Sequence, residues 1–267
     1  MAREKKPRSR GRRSPLAATA LIGIGLLLTG GIYAGASAAM AATGDDSAAS
    51  STLTVEDGQK LFQANCATCH GMDLQGSESG PSLYGVGELS VHFQVSTGRM
   101  PLQAQAPQAP QKPVQFTEEQ TAAIAAYVQS TSPGPTYPSD EVLDGDGDLA
   151  HGAELFRINC AMCHNVAGAG GALTEGKYAP SLHTTSALNI YAAMVTGPQN
   201  MPVFNNLNLT PEDKRDVISY LMYQQETPSP GGFDLGSLGP VSEGLFIWVF
   251  GIGSLIALTV WVTAKAN

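Results

Sequence analysis

The sequence predicts a mainly α-helical protein: two small domains of one fold in tandem, preceded by an apolar segment and followed by a transmembrane helix. Three observations predict it. A five-residue signature, Cys66-Ala67-Thr68-Cys69-His70, returns as Cys160-Ala161-Met162-Cys163-His164. The residues around the two copies return in the same order, the mark of an internal repeat. Charge-free apolar runs lie near both ends of the chain, at 16–42 and 244–262.

The N-terminal tail, 1–15, carries Arg3, Lys5, Lys6, Arg8, Arg10, Arg12 and Arg13. A basic tail before an apolar run signals export, with the basic end kept in the cytoplasm. The run 16–42 is long enough to span a bilayer, which takes ~20 residues. Its end, Ala39-Met40-Ala41-Ala42, also has the small-residue pattern of a cleavage site. Signal peptide and retained transmembrane anchor both fit, and both put residue 43 onward outside the membrane. Residues 43–52 read as an Asp/Ser/Ala-rich linker.

The first domain spans 53–132. Thr54 with Asp57 is an N-cap pattern, and the helix it opens turns Leu61 and Phe62 inward before the first signature. A Gly-rich loop holds Gly80-Pro81-Ser82-Leu83. A short helix around Leu89–Val95 leads to Thr97-Gly98-Arg99-Met100-Pro101. Leu102 to Gln115, rich in Pro, Gln and Ala, has no periodicity and reads as a surface loop. Thr117 with Gln120 forms a capping box for a helix carrying Ile124, Tyr127 and Val128.

Residues 133–146 read as an acidic linker. Asp144, Asp146 and Asp148 alternate with other residues as in a calcium loop, but the position that requires Gly is Leu149, so a solvated acidic segment is the better reading. The second domain, 147–227, repeats the first. Gly152 to Phe156 answers to Gly58 to Phe62, and Asn159 to Asn65. Pro180-Ser181-Leu182 answers to Pro81-Ser82-Leu83, and Thr196-Gly197 with Met201-Pro202 to Thr97-Gly98 with Met100-Pro101. Thr210-Pro211 caps a last helix with Val217, Ile218 and Leu221. After a Pro/Gly linker, 228–243, the segment 244–263 has the length and apolarity of a transmembrane helix, with Trp248 and Trp261 near its ends and Lys265 beyond.

Two thiols separated by two residues, with a His directly after the second, form the attachment signature of c-type haem. Cys66 and Cys69, and Cys160 and Cys163, would form thioethers with the two haem vinyl groups, and His70 and His164 would be the proximal iron ligands. Zinc sites separate the Cys pair from the remaining ligands by a folded insert. A thioredoxin-like redox pair needs a βαβ context that is missing here. Disulfides fit an extracytoplasmic chain, but all four cysteines fall within the two signatures.

A haem that only moves electrons needs a ligand opposite the His, and Met raises the reduction potential relative to a second His. Met100 and Met201 occupy equivalent places, each followed by a Pro that stiffens the chain. Met72 and Met162 lie too near their own signatures to reach the far haem face, and Met194 reads as core. His92 is an alternative sixth ligand, or a polar residue of an amphipathic helix. His151 and His183 lack a supporting pattern. The net charge of −8, without a basic cluster on the folded part, argues against nucleic acid as a partner.

Each repeat resembles a class I cytochrome c domain, in which a loop Pro carbonyl accepts the proton of the proximal His. That resemblance gives the role to Pro81 and Pro180. The whole arrangement resembles the di-haem cytochrome c subunit of the actinobacterial cytochrome bcc (menaquinol:cytochrome c reductase) complex, on the two Met loops and on Gly176-Lys177-Tyr178-Ala179-Pro180. The resemblance implies two covalent haem c groups on the extracytoplasmic side of the cell membrane. It also implies a cytochrome b subunit, a Rieske iron–sulfur subunit and an aa3-type cytochrome c oxidase as partners. This chain would then be an electron carrier, and the enzyme would be the quinol–cytochrome c reductase as a whole. A subunit of another oxidase or of a periplasmic dehydrogenase, and a di-haem peroxidase, are the competing readings.

Overall fold

A computed structural model describes residues 15–42, 53–104, 106–227 and 235–265. The basic tail up to residue 14, the 43–52 linker and residues 228–234 of the second linker lie outside the described residues. The chain divides into two compact units, 1–52 and 53–267.

In the first unit a single helix, α1 (Pro15–Ala42), covers the N-terminal apolar run. Leu21, Leu26 and Leu27 are all exposed, so apolar side chains project on several sides of this helix. A helix apolar all round needs an apolar surrounding.

The second unit contains both repeats. In the first, α2 (Val55–Asn65) starts at Thr54, whose hydroxyl accepts from the Asp57 amide while the Asp57 carboxylate takes the Thr54 N–H. α3 (Ala67–His70) is the haem signature itself. α4 (Gly87–Ser96) precedes the Met100 loop, and α5 (Glu118–Thr131) closes the domain behind the Thr117–Gln120 capping box. α2 crosses α5 at Gly58, where a Cβ would lie 1.9 Å from the Ala123 carbonyl oxygen. Only glycine lets the two backbones approach so closely. Phe62 then meets Tyr127, ring centroids 5.4 Å apart and tilted by 50°. Around this crossing Leu74, Ile124, Ala125 and Val128 form the first core.

After α6 (Asp140–Leu143), the second repeat builds the same crossing. α7 (Leu149–Asn159) runs into α8 (Ala161–His164), and α9 (Ala187–Thr196) and α10 (Pro211–Glu226) follow. Here the Cβ of a residue replacing Gly152 would lie 2.0 Å from the Asp216 carbonyl oxygen, and Phe156 meets Tyr220 at 5.7 Å and 48°. Lys214 is fully buried inside this domain. Its ammonium donates to Asn206 Oδ1 at 2.8 Å and to the Leu209 carbonyl at 2.6 Å, tying α10 to the loop after Met201.

The two domains meet through equivalent helices. Leu89 and Phe93 of α4 pack with Ala192 of α9, and Ser96 Oγ donates to Asn189 Oδ1 at 3.1 Å. The acidic segment keeps Asp140, Glu141, Asp144, Asp146 and Asp148 exposed, as a solvated stretch should, and is tied to the second domain. Asp144 accepts from Arg215 Nε at 3.1 Å and Nη2 at 2.8 Å, and Asp148 caps α7 through the Ala150 and His151 amides. Its carboxylates thus serve as caps and an ion pair, and no group of three or more His, Cys, Asp or Glu able to hold a metal ion occurs among the described residues.

The C-terminal helix begins at Pro240, four residues before the expected start, with Pro at its first turn. It runs as α11 (Pro240–Phe246), a π-helical stretch Ile247–Ile252, and α12 (Gly253–Lys265). This 26-residue helix is long and apolar enough to cross a membrane; at 1.5 Å per residue it measures about 39 Å. Lys265 lies 5.0 Å from the Trp261 ring centroid, a cation over an aromatic face at one end.

Candidate haem sites

The signature's Cys-x-x-Cys-His backbone is set by the helix before it. In each repeat the first cysteine ends the long helix, its N–H bonding to the carbonyl of Phe62 or Phe156, and a one-turn helix delivers the histidine. None of the four cysteines is paired in a disulfide. Burial, with a smaller contribution from the second cysteine of each pair, pushes the Cys66 and Cys160 thiols up to about 11. A redox-active Cys-x-x-Cys pair has its thiol pKa lowered instead, so thioredoxin-like chemistry does not fit.

His70 Nδ1 lies 2.8 Å from the Pro81 carbonyl oxygen, and His164 Nδ1 lies 3.0 Å from that of Pro180. A carbonyl can only accept, so Nδ1 carries a proton in both, and Nε2 is the nitrogen left for a metal. That is the arrangement a metal-binding imidazole needs, with the ring fixed from behind. Burial lowers the His164 pKa, partly opposed by the Pro180 carbonyl. The loops that bring the two prolines back share their bonds: Gly76 N–H to the His70 carbonyl matches Gly170 N–H to that of His164, both at 2.8 Å.

The loops differ in length. Pro81 lies 11 positions after His70, but Pro180 lies 16 positions after His164. The extra residues form a hairpin, β1 (Gly171–Ala172) against β2 (Tyr178–Ala179), which the sequence reading did not anticipate.

Cys66 and Met100 pack against the same core in the first domain, and Cys160 and Met201 share the core of the second. In the second domain a cavity of about 300 Å³ opens between them. Cys160, Cys163, His164 and Met201 line it together with Phe156, Ile190, Met194, Val217 and Leu221. Two thiols, an imidazole and a thioether around an apolar slot are a donor set that suits a haem. Met194 is buried core, as expected, while Met72 and Met162 are exposed.

The other histidines are accounted for elsewhere. His92, read as an alternative sixth ligand or a polar residue of an amphipathic helix, is buried. Its Nδ1 is 3.2 Å from the Tyr137 hydroxyl and its Nε2 is 3.7 Å from the Glu118 carboxylate. Burial lowers its pKa, with Glu118 opposing. His151 Nδ1 pairs with Asp216 at 2.8 Å, and His183 Nε2 donates to the Ala167 carbonyl at 2.7 Å.

Residues 102–104 and 106–115 are the surface loop expected, mostly exposed and without helix or strand, and this loop also straps the two domains together. Gln108 donates from Nε2 to the Tyr178 carbonyl and accepts at Oε1 from the Tyr178 N–H, both at 2.8 Å, extending the hairpin edge. The Ala109 amide donates to Gln199 Oε1 at 3.2 Å, inside the Met201 loop. The Lys112 ammonium donates to the Pro101 carbonyl, and the Lys112 backbone crosses Gly98 so closely that a Cβ there would meet its carbonyl oxygen at 1.8 Å. Backbone-directed bonds of this kind leave no hydrophobic period in a sequence, which is why the strap was missed.

Comparison with known proteins agrees with this architecture. Residues 55–132 match the family model described as cytochrome c, and residues 147–221 match that described as cytochrome C oxidase, cbb3-type, subunit III. The cytochrome bc1 complex cytochrome c subunit of Corynebacterium efficiens is 50% identical over 79% of this chain and 77% of its own. The subunits of the same name from Corynebacterium diphtheriae and Mycobacterium tuberculosis are 46% and 44% identical, the latter over 98% of this chain and 96% of its own. The chain belongs to this family of cytochrome c subunits. Covalently bound haem c is the cofactor of its cytochrome c domains, and each Cys pair stands where the thioethers would form.

Proposed function

We propose that this chain is the membrane-anchored, two-haem electron carrier of a respiratory quinol:cytochrome c reductase. It takes electrons from a cytochrome b and Rieske iron–sulfur assembly and hands them to an aa3-type oxidase. Cys66 and Cys69 hold one haem, and Cys160 and Cys163 the other. His70 and Met100 would hold one haem iron, and His164 and Met201 the other. The haem iron supplies a one-electron couple. The protein supplies everything else: Pro81 and Pro180 orient the imidazoles, the Met loops close the sixth positions, and the apolar cores exclude water. No residue here makes or breaks a substrate bond, so enzyme status belongs to the complex. Both haem domains lie on the extracytoplasmic side, held by the C-terminal helix. Tethering raises the effective concentration of each carrier for its partners, which replaces diffusion.

The observation that carries this reading is the twice-built imidazole: Nδ1–H on a proline carbonyl, Nε2 left for a metal, beside a Cys pair and a Met-bearing core. Purification of the chain from its native membranes is the test. Cytochrome b, an iron–sulfur subunit and an aa3-type oxidase are expected to co-purify, and added quinol should reduce the c-type absorbance. Co-purification with a dehydrogenase in their place would overturn it.

A further inference from the structure

We infer that Arg99, on the first domain, holds a propionate of the haem in the second domain. The inference rests on the two-haem reading above. Arg99 immediately precedes Met100, yet it lines the cavity that contains Cys160, Cys163, His164 and Met201. It is only 5% exposed. Its guanidinium lies 5.0 Å from the Phe93 ring centroid, on the helix that packs against α9. Among the described residues no carboxylate forms an ion pair with it.

A buried guanidinium without a counter-ion costs several kcal/mol, on the order of the penalty for any desolvated charge. Such a group persists where an anion completes it. Haem carries two carboxylates, and a planar fork of donors suits a carboxylate better than a point charge does. The lining combines the polar side chains of Gln108, Asn189 and Gln199 with the apolar ones of Phe156, Val217 and Leu221. Among the described residues that line it, Arg99 is the one Lys or Arg. A haem whose ring packs on the apolar residues would have that guanidinium as the cation for its carboxylates. The strap then has a purpose: by fixing Gln108 on Tyr178 it keeps the first domain's Met loop, and with it Arg99, closed over the second domain's haem.

The electrostatic consequence is directional. An oxidised haem carries one more positive charge than a reduced one, so a nearby cation disfavours oxidation and raises the potential. Arg99 therefore acts as a positioning residue for the second haem, supplied by the first domain.

The test is a redox titration of the full chain in its purified complex, following the c-type absorbance of wild type, R99Q and R99K. A Met201→His variant identifies the second haem, because a second His lowers its potential. R99Q is expected to lower that haem's midpoint alone, by roughly tenfold in its redox equilibrium, about 59 mV for a one-electron couple. R99K should give a smaller drop in the same haem, since lysine keeps the charge and loses the fork. It carries the test if R99Q does not assemble. Unchanged midpoints, a shift confined to the first haem, or equal shifts in both would overturn the assignment to Arg99. Finding a single haem per chain in the wild type would instead sink the two-haem reading itself.

Discussion

Replacing Met201 by Ala is expected to convert a chain that refuses carbon monoxide into one that binds it at a single site, and Met100→Ala to do the same in the first domain. The physical reason is the sixth position. A thioether bound to the iron would leave no open coordination site, and removing it would open one. Both methionines are half-buried against the same cores as their Cys pairs, so truncation also loses packing, up to about 2 kcal/mol at the low end for a core Met→Ala. That loss is small enough for the domain to survive while its spectrum changes. Absorbance difference spectra of the reduced proteins with and without carbon monoxide check it: none bound in wild type, one per chain in each single variant, two in the double. Binding by the wild type would show that a sixth position is open, as a peroxidase requires. No gain in either variant would remove these methionines from the iron.

Gly152→Ala is expected to cost more stability than any surface substitution, with Gly58→Ala its counterpart. A helix interior favours Ala over Gly by about 1 kcal/mol, and on propensity alone both changes would stabilise. The crossing reverses the sign. The new methyl would sit 2.0 Å from the Asp216 carbonyl oxygen in one domain and 1.9 Å from that of Ala123 in the other. Backbone cannot rotate aside as a side chain can, so the two long helices must separate and the Phe156–Tyr220 or Phe62–Tyr127 contact opens with them. Overpacking of this kind costs about 3 kcal/mol, sometimes more. Thermal unfolding of the full chain, with haem content measured alongside, should show a large loss for G152A and G58A. G244A, inside α11 with a Cβ that meets nothing within 4 Å, should cause no loss. Wild-type stability in G152A would mean that the helices do not cross there.

Much of this was legible in the sequence because the repeat states each feature twice. Thr54, Thr117 and Thr210 all proved to be capping residues with the partners expected of them. Phe62, Ile124, Val128, Val217, Ile218 and Leu221 all proved to be core. Capping boxes and helical periods are local, and local rules survive folding. The relationship between the domains was not legible. Arg99 read as one letter of a Met loop, and its burial against the other domain's cavity depends on how α4 meets α9. The strap's partners are backbone groups of Tyr178 and a glutamine of the Met201 loop, about seventy to ninety positions away, which no local pattern encodes. The acidic segment keeps its carboxylates exposed, as alternating Asp and Gly led one to expect, but its ties to Arg215 and to the first turn of α7 were not legible, because those partners lie outside the local pattern.

The most direct measurement is the number of porphyrins that remain on the mature chain after denaturation and extraction with acidified solvent, read as intact mass and as pyridine haemochrome absorbance per polypeptide. Two per chain is the expected value, falling to one when Cys160 and Cys163 are both changed to Ser and to one when Cys66 and Cys69 are. A chain that emerges from solvent extraction carrying none, after export through its native membrane, would contradict the account at its root.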